Sequence, residues 1–197
     1  ELLAAMKRAG CVRVEFGIES GSEVGRRFLK KGITKDQVVE GFRLAREVGL
    51  STMGFVILNI PGESLDEVEE TFELVRRADP DFLQVSLLTP YPGTELRTLA
   101  EKEGWVVTDD WSRYRFLNEV VLRHKYAPEE VERMYLDFVR RFYYRPGTIY
   151  KMARLVFNGT TRIRPLARTV FSGMLATALG KSSRMRWLTR KVTGRKS

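Results

Sequence analysis

The stretch that most constrains this chain is Gly54-Phe55-Val56-Ile57-Leu58-Asn59-Ile60-Pro61-Gly62-Glu63-Ser64. It begins as an apolar run without alternation, which predicts a strand buried on both faces, the habit of parallel sheets. Pro61 and Gly62 end the strand. Ser64, with Glu67 three residues on, forms a capping box that opens a helix. In α/β folds ligands bind at the carboxyl ends of the strands, so this turn is the first place to look for a site.

The same alternation runs through the first half of the chain. A helix ends at Gly10, and Val12–Phe16 reads as a strand followed by the turn Gly17-Ile18-Glu19-Ser20-Gly21-Ser22. Ser22 caps a short helix. Thr34 and Gln37 form a second capping box, opening a helix with Val38, Phe42, Ala45 and Val48 on one face. Thr52–Leu58 is the central strand, and Leu65, Val68, Phe72 and Val75 give the next helix an apolar stripe. Phe82–Leu88 is a third strand, ending at Thr89-Pro90-Tyr91-Pro92-Gly93, after which Thr94 caps a helix closed by Gly104. Strands alternating with helices imply βαβ units and a parallel sheet. Three strands are too few for a closed barrel, which normally has about eight, so the sheet is open or part of a barrel.

Beyond Gly104 the pattern changes. Residues 105–115 read as irregular. Pro128, with Glu129 and Glu130 in the first turn, opens a long helix running to Arg145, which Pro146-Gly147 stops. Helical patterns resume at 148–157 and from about Leu166 to Leu179. Three regions follow: 1–104 as part of a barrel, 105–145 as a helical extension, and 146–197 as a basic helical tail. Residues 146–197 hold 12 Lys or Arg and no Asp or Glu, whereas the first 145 carry 22 basic and 25 acidic residues.

A single cysteine, Cys11, excludes a disulfide framework and any site built from several thiolates of this chain. A single histidine, His124, disfavours His-based triads and metal sites, and its setting between Arg123 and Lys125 predicts a surface residue. The three strand-end turns, each with a glycine, fall on one edge of a parallel sheet, where backbone groups can approach a ligand closely. That predicts a small-molecule site with the carboxylates of Glu19 and Glu63 at its rim. It does not name the ligand. Glu63 also suits the helix start at Ser64, and Lys31 also suits a solvated helix end.

Four pieces in this order, Phe16–Ser22, Lys30–Thr34, Gly54–Glu63 and Leu88–Leu96 (LTPYPGTEL), resemble the second half of the radical S-adenosylmethionine fold. The subgroup is similar to that with an N-terminal cobalamin-binding domain, which includes anaerobic tetrapyrrole cyclases and radical methyltransferases. The resemblance covers about residues 1–100. It implies the C-terminal half of a partial, TIM-like (β/α)6 barrel of parallel strands, with the α-helical basic tail after it. It also implies reductive cleavage of S-adenosylmethionine to a 5′-deoxyadenosyl radical, used for methylation or cyclisation of a hydrophobic substrate.

On that mapping Glu19 and Ser20 follow the fourth barrel strand, with Glu19 facing the ribose and methionyl part of the cofactor. Lys31 pairs with its carboxylate. Ile57 packs on adenine, in a fifth-strand motif that also holds Asn59 and Glu63. Leu88 and Thr89, with Leu87, offer backbone groups to the adenine edge. Asn59 departs from the glycine that relatives carry there, so its side chain is expected to intrude on the turn. The Cys-x3-Cys-x2-Cys loop of the family is not in this sequence. The resemblance therefore implies that the ligands of a [4Fe–4S] cluster, like any cobalamin domain, belong to a missing N-terminal part of the same protein, and that this chain alone is inactive.

The tail mixes Ile163, Leu166, Val170, Phe171, Met174, Leu175 and Leu179 with Arg162, Arg164, Arg168 and Lys181, and Trp187 follows. That composition suits an anionic membrane surface or a solvated tail, and no nucleic-acid motif accompanies it. With no signal peptide and no spanning run visible, the expectation is a cytoplasmic chain, peripheral to the inner face of the membrane. Two other readings stand beside the enzyme: an inert membrane-surface or nucleic-acid module on a truncated barrel, and a barrel fragment binding a phosphorylated metabolite. The second requires a phosphate-binding glycine loop, and no convincing one is present.

Overall fold

The structure, a computed structural model, describes residues 1–114, 120–158, 163–165, 167–170 and 172. It divides into two compact units, Glu1–Arg140 and Arg141–Ser197.

In the first unit the elements follow the order α1 (Leu2–Arg8), β1 (Arg13–Glu19), α2 (Glu23–Phe28), α3 (Lys35–Glu47), β2 (Ser51–Leu58), α4 (Leu65–Ala78), β3 (Phe82–Leu87) and α5 (Glu95–Lys102). The strands form a parallel sheet in the order β1-β2-β3. Both expected capping boxes are present: Thr34 Oγ1 accepts from Gln37 N and Ser64 Oγ from Glu67 N, while each Glx side chain accepts from the cap backbone. Each satisfies two N–H groups that the first helical turn leaves without partners. Ser22 and Thr94 cap α2 and α5.

Register fixes the faces, because paired residues of a parallel sheet point the same way. Gly54 pairs with Phe16 and Leu83; this row meets Phe42 of α3, whose ring lies edge-on to Phe16 at 5.0 Å. Val56, Leu58, Val85 and Leu87 are buried on the same side of β2 and β3. The opposite row, Gly17, Phe55 and Gln84, followed by Ile57 and Ser86, is only half-buried. The apolar run therefore has one closed face and one open face. Uninterrupted hydrophobicity predicts burial on both faces, and the structure corrects this: α3 covers one side, and the other is only partly covered.

A second correction concerns Gly17 to Glu19. These residues extend β1 instead of forming a turn, with a register shift between Gly17 and Glu19. The left-handed backbone begins at Glu19 (φ 64°).

The described residues between 105 and 140 belong to the first unit. Val106 and Leu122 form an isolated antiparallel bridge, and Trp111–Arg113 is a single 3-10 turn. Leu122, Leu88 and Ala100 make a buried cluster joined by Phe28, Leu29, Ile57, Leu96, Trp105 and Val106. This cluster lies at the carboxyl end of β2 and β3. α6 (Pro128–Tyr143) begins at its proline as expected, and Phe138 meets Phe72 edge-on at 5.3 Å.

The second unit contains α7 (Pro146–Asn158), which starts at the proline expected only to stop the preceding helix. Proline suits the first helical position because its missing N–H would lack a partner there. The expectations resting on Arg162, Leu166, Phe171, Met174, Leu175, Leu179, Lys181 and Trp187 lie outside the described residues. Among the described residues no helix is long and apolar enough to cross a membrane.

Candidate cofactor site at the strand ends

The carboxyl edge of the sheet carries two carboxylates in different surroundings. Glu19 ends β1 on the open face. Its Oε1 lies 3.7 Å from Lys31 Nζ, and both side chains are about one quarter exposed. The pair sits over Gly17: a Cβ there would come within 2.2 Å of Glu19 Oε1 and 3.0 Å of Lys31 Nζ. Glycine at this point makes the room the pair occupies. Burial pushes the Glu19 carboxyl up, and the Lys31 ammonium opposes the shift.

Glu63 is only 3% exposed. Its Oε1 accepts from Ser20 Oγ at 2.7 Å and from Ser22 Oγ at 2.6 Å. Ser22 Oγ also accepts from Gly25 N, and Gly21 N donates to Thr71 Oγ1 at 2.8 Å. One buried node thus ties the turn after β1 to the turn after β2 and to α4. Its close packing requires two glycines. A Cβ on Gly25 would lie 2.1 Å from Glu63 Oε1, and one on Gly21 would lie 2.4 Å from the Glu70 carbonyl oxygen. Burial raises the Glu63 carboxyl above its ordinary range, and the two serine hydroxyls pull it part of the way back. Glu63, read from the sequence as a rim carboxylate, and Ser20, which the resemblance placed beside the cofactor, face each other inside the fold.

Asn59 follows β2 in the left-handed region (φ 64°), which asparagine tolerates better than most side chains. Its side chain does not enter the turn as expected. Nδ2 donates to Leu122 O at 2.9 Å, so it anchors the 120–122 segment beside β2. The Asn59 carbonyl oxygen is 3.2 Å from His124 Nε2, and His124 packs edge-on to Trp105 at 5.7 Å. His124 is half-buried here, correcting its reading as a surface residue; burial pushes its pKa below the ordinary value. Flanking Arg and Lys suggested solvent, and only tertiary packing brings the ring back over β2.

Ile57 lies on the half-buried row and joins the Leu88–Leu122 cluster. Leu88 N donates to Leu58 O at 2.9 Å, and Leu87 O accepts from Thr89 Oγ1 at 3.0 Å. Of the backbone groups expected to meet a ligand, these two are already engaged. The structure thus brings Glu19, Lys31 and Gly17 together on one face and Ile57 with Leu88 in one cluster. It sets Ser20, Glu63 and Asn59 in the supporting framework. Asn59 Oδ1 is buried with no hydrogen-bond partner among the described residues.

No metal-binding group of three or more His, Cys, Asp or Glu is found among the described residues. Cys11 is half-buried, and its Sγ donates to Arg13 O at 3.2 Å. One thiol cannot hold a four-iron cluster.

Residues 1–75 match the model of the radical SAM superfamily. The chain is 34% identical over 147 residues to an uncharacterized methyltransferase of Pyrococcus horikoshii, covering 75% of this chain and 32% of that protein. It is 28% identical over 150 residues to the anaerobic magnesium-protoporphyrin IX monomethyl ester cyclase of Cereibacter sphaeroides, covering 76% of this chain and 24% of that protein. It is 25% identical over 125 residues to the bacteriochlorophyllide d C-8(2)-methyltransferase of Chlorobaculum tepidum, covering 61% and 27%. The chain belongs to the radical SAM superfamily, beside its methyltransferases and cyclases. It spans about a quarter to a third of the length of these relatives.

Proposed function

We propose that this chain forms one wall of an S-adenosylmethionine cleft in a radical enzyme that methylates or cyclises a hydrophobic substrate. The observation that carries the reading is the Glu19–Lys31 pair over Gly17. It is an acid and a base 3.7 Å apart at the carboxyl edge of a parallel sheet, on the face left open. The methionyl end of the cofactor carries one ammonium and one carboxylate. Glu19 suits the ammonium and the ribose hydroxyls, and Lys31 suits the carboxylate. Ile57 offers an apolar surface for adenine at the same edge, backed by Leu88 and Leu122.

Beside a reducing [4Fe–4S] cluster, S-adenosylmethionine supplies the carbon-centred radical of the family's chemistry. The residues of this chain bind and orient. Glu19 and Lys31 exchange their mutual ion pair for contacts of matching charge, and the buried Glu63–Ser20–Ser22 node holds the β1 turn so that Glu19 keeps its place. The cluster ligands belong to sequence outside this chain, as does any cobalamin domain; no described residue is assigned to either.

The test is S-adenosylmethionine binding by the longer polypeptide that carries this chain, purified anaerobically. Iron–sulfur absorbance and 5′-deoxyadenosine release are expected. Glu19→Ala is expected to weaken binding about tenfold, the worth of one charge-assisted contact at a partly exposed site. Unchanged affinity in that variant would overturn the assignment of Glu19.

A further inference from the structure

The second unit carries a helix whose exposed side is also apolar. In α7 the buried positions are Thr148 and Met152, while Ile149, Tyr150 and Phe157 are exposed, the last two at 69% and 68%. At about 100° per residue, Ile149, Ala153, Phe157 and Tyr150 fall within an arc of about 100° on the outward side. Arg154 is exposed at the border of that arc, with Lys151 further round on the same flank. A helix that faces only water carries polar residues there. This one presents two aromatic rings and an isoleucine, bordered by cations.

We propose that this face of α7 docks on an anionic lipid surface, with Tyr150 and Phe157 entering the headgroup boundary and Arg154 and Lys151 meeting lipid phosphates. Charge selects this occupant. From Pro146 to Ser197 the chain has 12 Lys or Arg and no acid, so the segment would meet negative headgroups without a repelling carboxylate. Rings of intermediate depth beside basic residues are the composition of helices that lie in the interfacial plane. At 13 residues α7 is too short to span a bilayer, which fits lying on the surface. The sequence pattern pointed to Ile163–Leu179; the exposed Ile149, Tyr150 and Phe157 add an apolar surface in the same basic region that the charge pattern alone did not single out.

The test is co-sedimentation of the longer polypeptide that carries this chain with vesicles of pure phosphatidylcholine and of phosphatidylcholine mixed with phosphatidylglycerol. The chain is expected to pellet with the anionic vesicles and to be released by salt. The double variant Tyr150→Ser/Phe157→Ser is expected to lose most of this binding. Arg154→Gln is expected to weaken it about fivefold, the effect of one basic residue near a charged surface. A second readout guards against misfolding. The emission that Phe157→Trp adds to that of the natural chain should shift to the blue on anionic vesicles and be quenched by brominated lipid. Equal binding to both vesicle types, no binding to either, or an unshifted added emission in a chain that pellets would each overturn the proposal.

Discussion

Glu19 and Glu63 stand at the carboxyl ends of neighbouring parallel strands, and burial raises the pKa of both. Their partners separate them. Glu63 has its Oε1 taken by two serine hydroxyls inside a knot that also uses Thr71 and the glycines at 21 and 25. Glu19 has one charged partner, at a distance longer than a good hydrogen bond, on a face that is only half covered. A buried carboxylate with one oxygen held by two hydroxyls of the fold serves the fold. One held by a single movable ion pair is free to exchange that partner for a ligand. Two acids of the same type at the same edge thus divide into one held by hydroxyls inside the fold and one held by a single ion pair on the open face.

Substitutions can break or sharpen this division. The largest effect is expected at the framework. Gly21→Ala would drive a methyl to within 2.4 Å of the Glu70 carbonyl oxygen and 2.6 Å of Thr71 Cα. Backbone cannot yield there as a flexible side chain can, so a loss of about 3 kcal/mol in urea unfolding is expected. Glu63→Ala removes the acceptor of two buried hydroxyls and is expected to cost about 2 kcal/mol by the same measurement. A near-neutral result would show that the serines find other partners and that the knot is not what fixes the turn.

Glu19→Ala should separate the two roles. Its loss of cofactor affinity, about tenfold, should come with a stability change of under about 1 kcal/mol, because the lost ion pair is partly exposed. Glu19→Gly is sharper still. It relieves the left-handed backbone at φ 64° and is expected to stabilise by about 1 kcal/mol while binding falls as for the alanine. A large stability loss in either variant would place Glu19 in the framework and erase the contrast.

The smallest effect is a pH dependence. The folded-state pKa of Glu63 lies above its unfolded value. The folded state therefore holds the proton more tightly, and this contribution to stability is full below about pH 4.5, the unfolded value. It is lost as pH rises through the folded pKa. Glu63→Gln keeps the shape without the titration. Its stability relative to the natural chain is expected to improve between about pH 4.5 and neutrality. A difference that stays flat across that range would show that Glu63 is not destabilised by ionising in the fold.

Much of the fold was legible in the sequence because its signals are local. Thr34 with Gln37 and Ser64 with Glu67 announce helix starts through side chains that reach three residues along their own chain, and both boxes form. The apolar run at Thr52–Leu58 and the glycines at 10, 49, 62, 93 and 104 mark boundaries that the backbone then adopts, each of these glycines having positive φ. The site was legible only in outline. Glu19 and Lys31, 12 positions apart, come within 3.7 Å of each other, a pairing that no local pattern announced. That Glu63 would spend its oxygen on Ser20 and Ser22, more than 40 residues away, has no local signature. Nor does the use of Leu88 N–H by Leu58, or the return of residues 120–124 across the end of β2, where Asn59 holds Leu122 and His124.

The sequence alone determined the order and type of the elements, the parallel habit of the sheet and the family, since periodicity, capping chemistry and strand-end glycines act over a few residues. Tertiary structure decided which face of the central strand is closed, because that depends on where α3 packs. It also decided which of the two strand-end acids is held by buried hydroxyls and which by one ion pair on the open face. Both have the same intrinsic chemistry, and their difference arises from partners that only folding brings within hydrogen-bond reach.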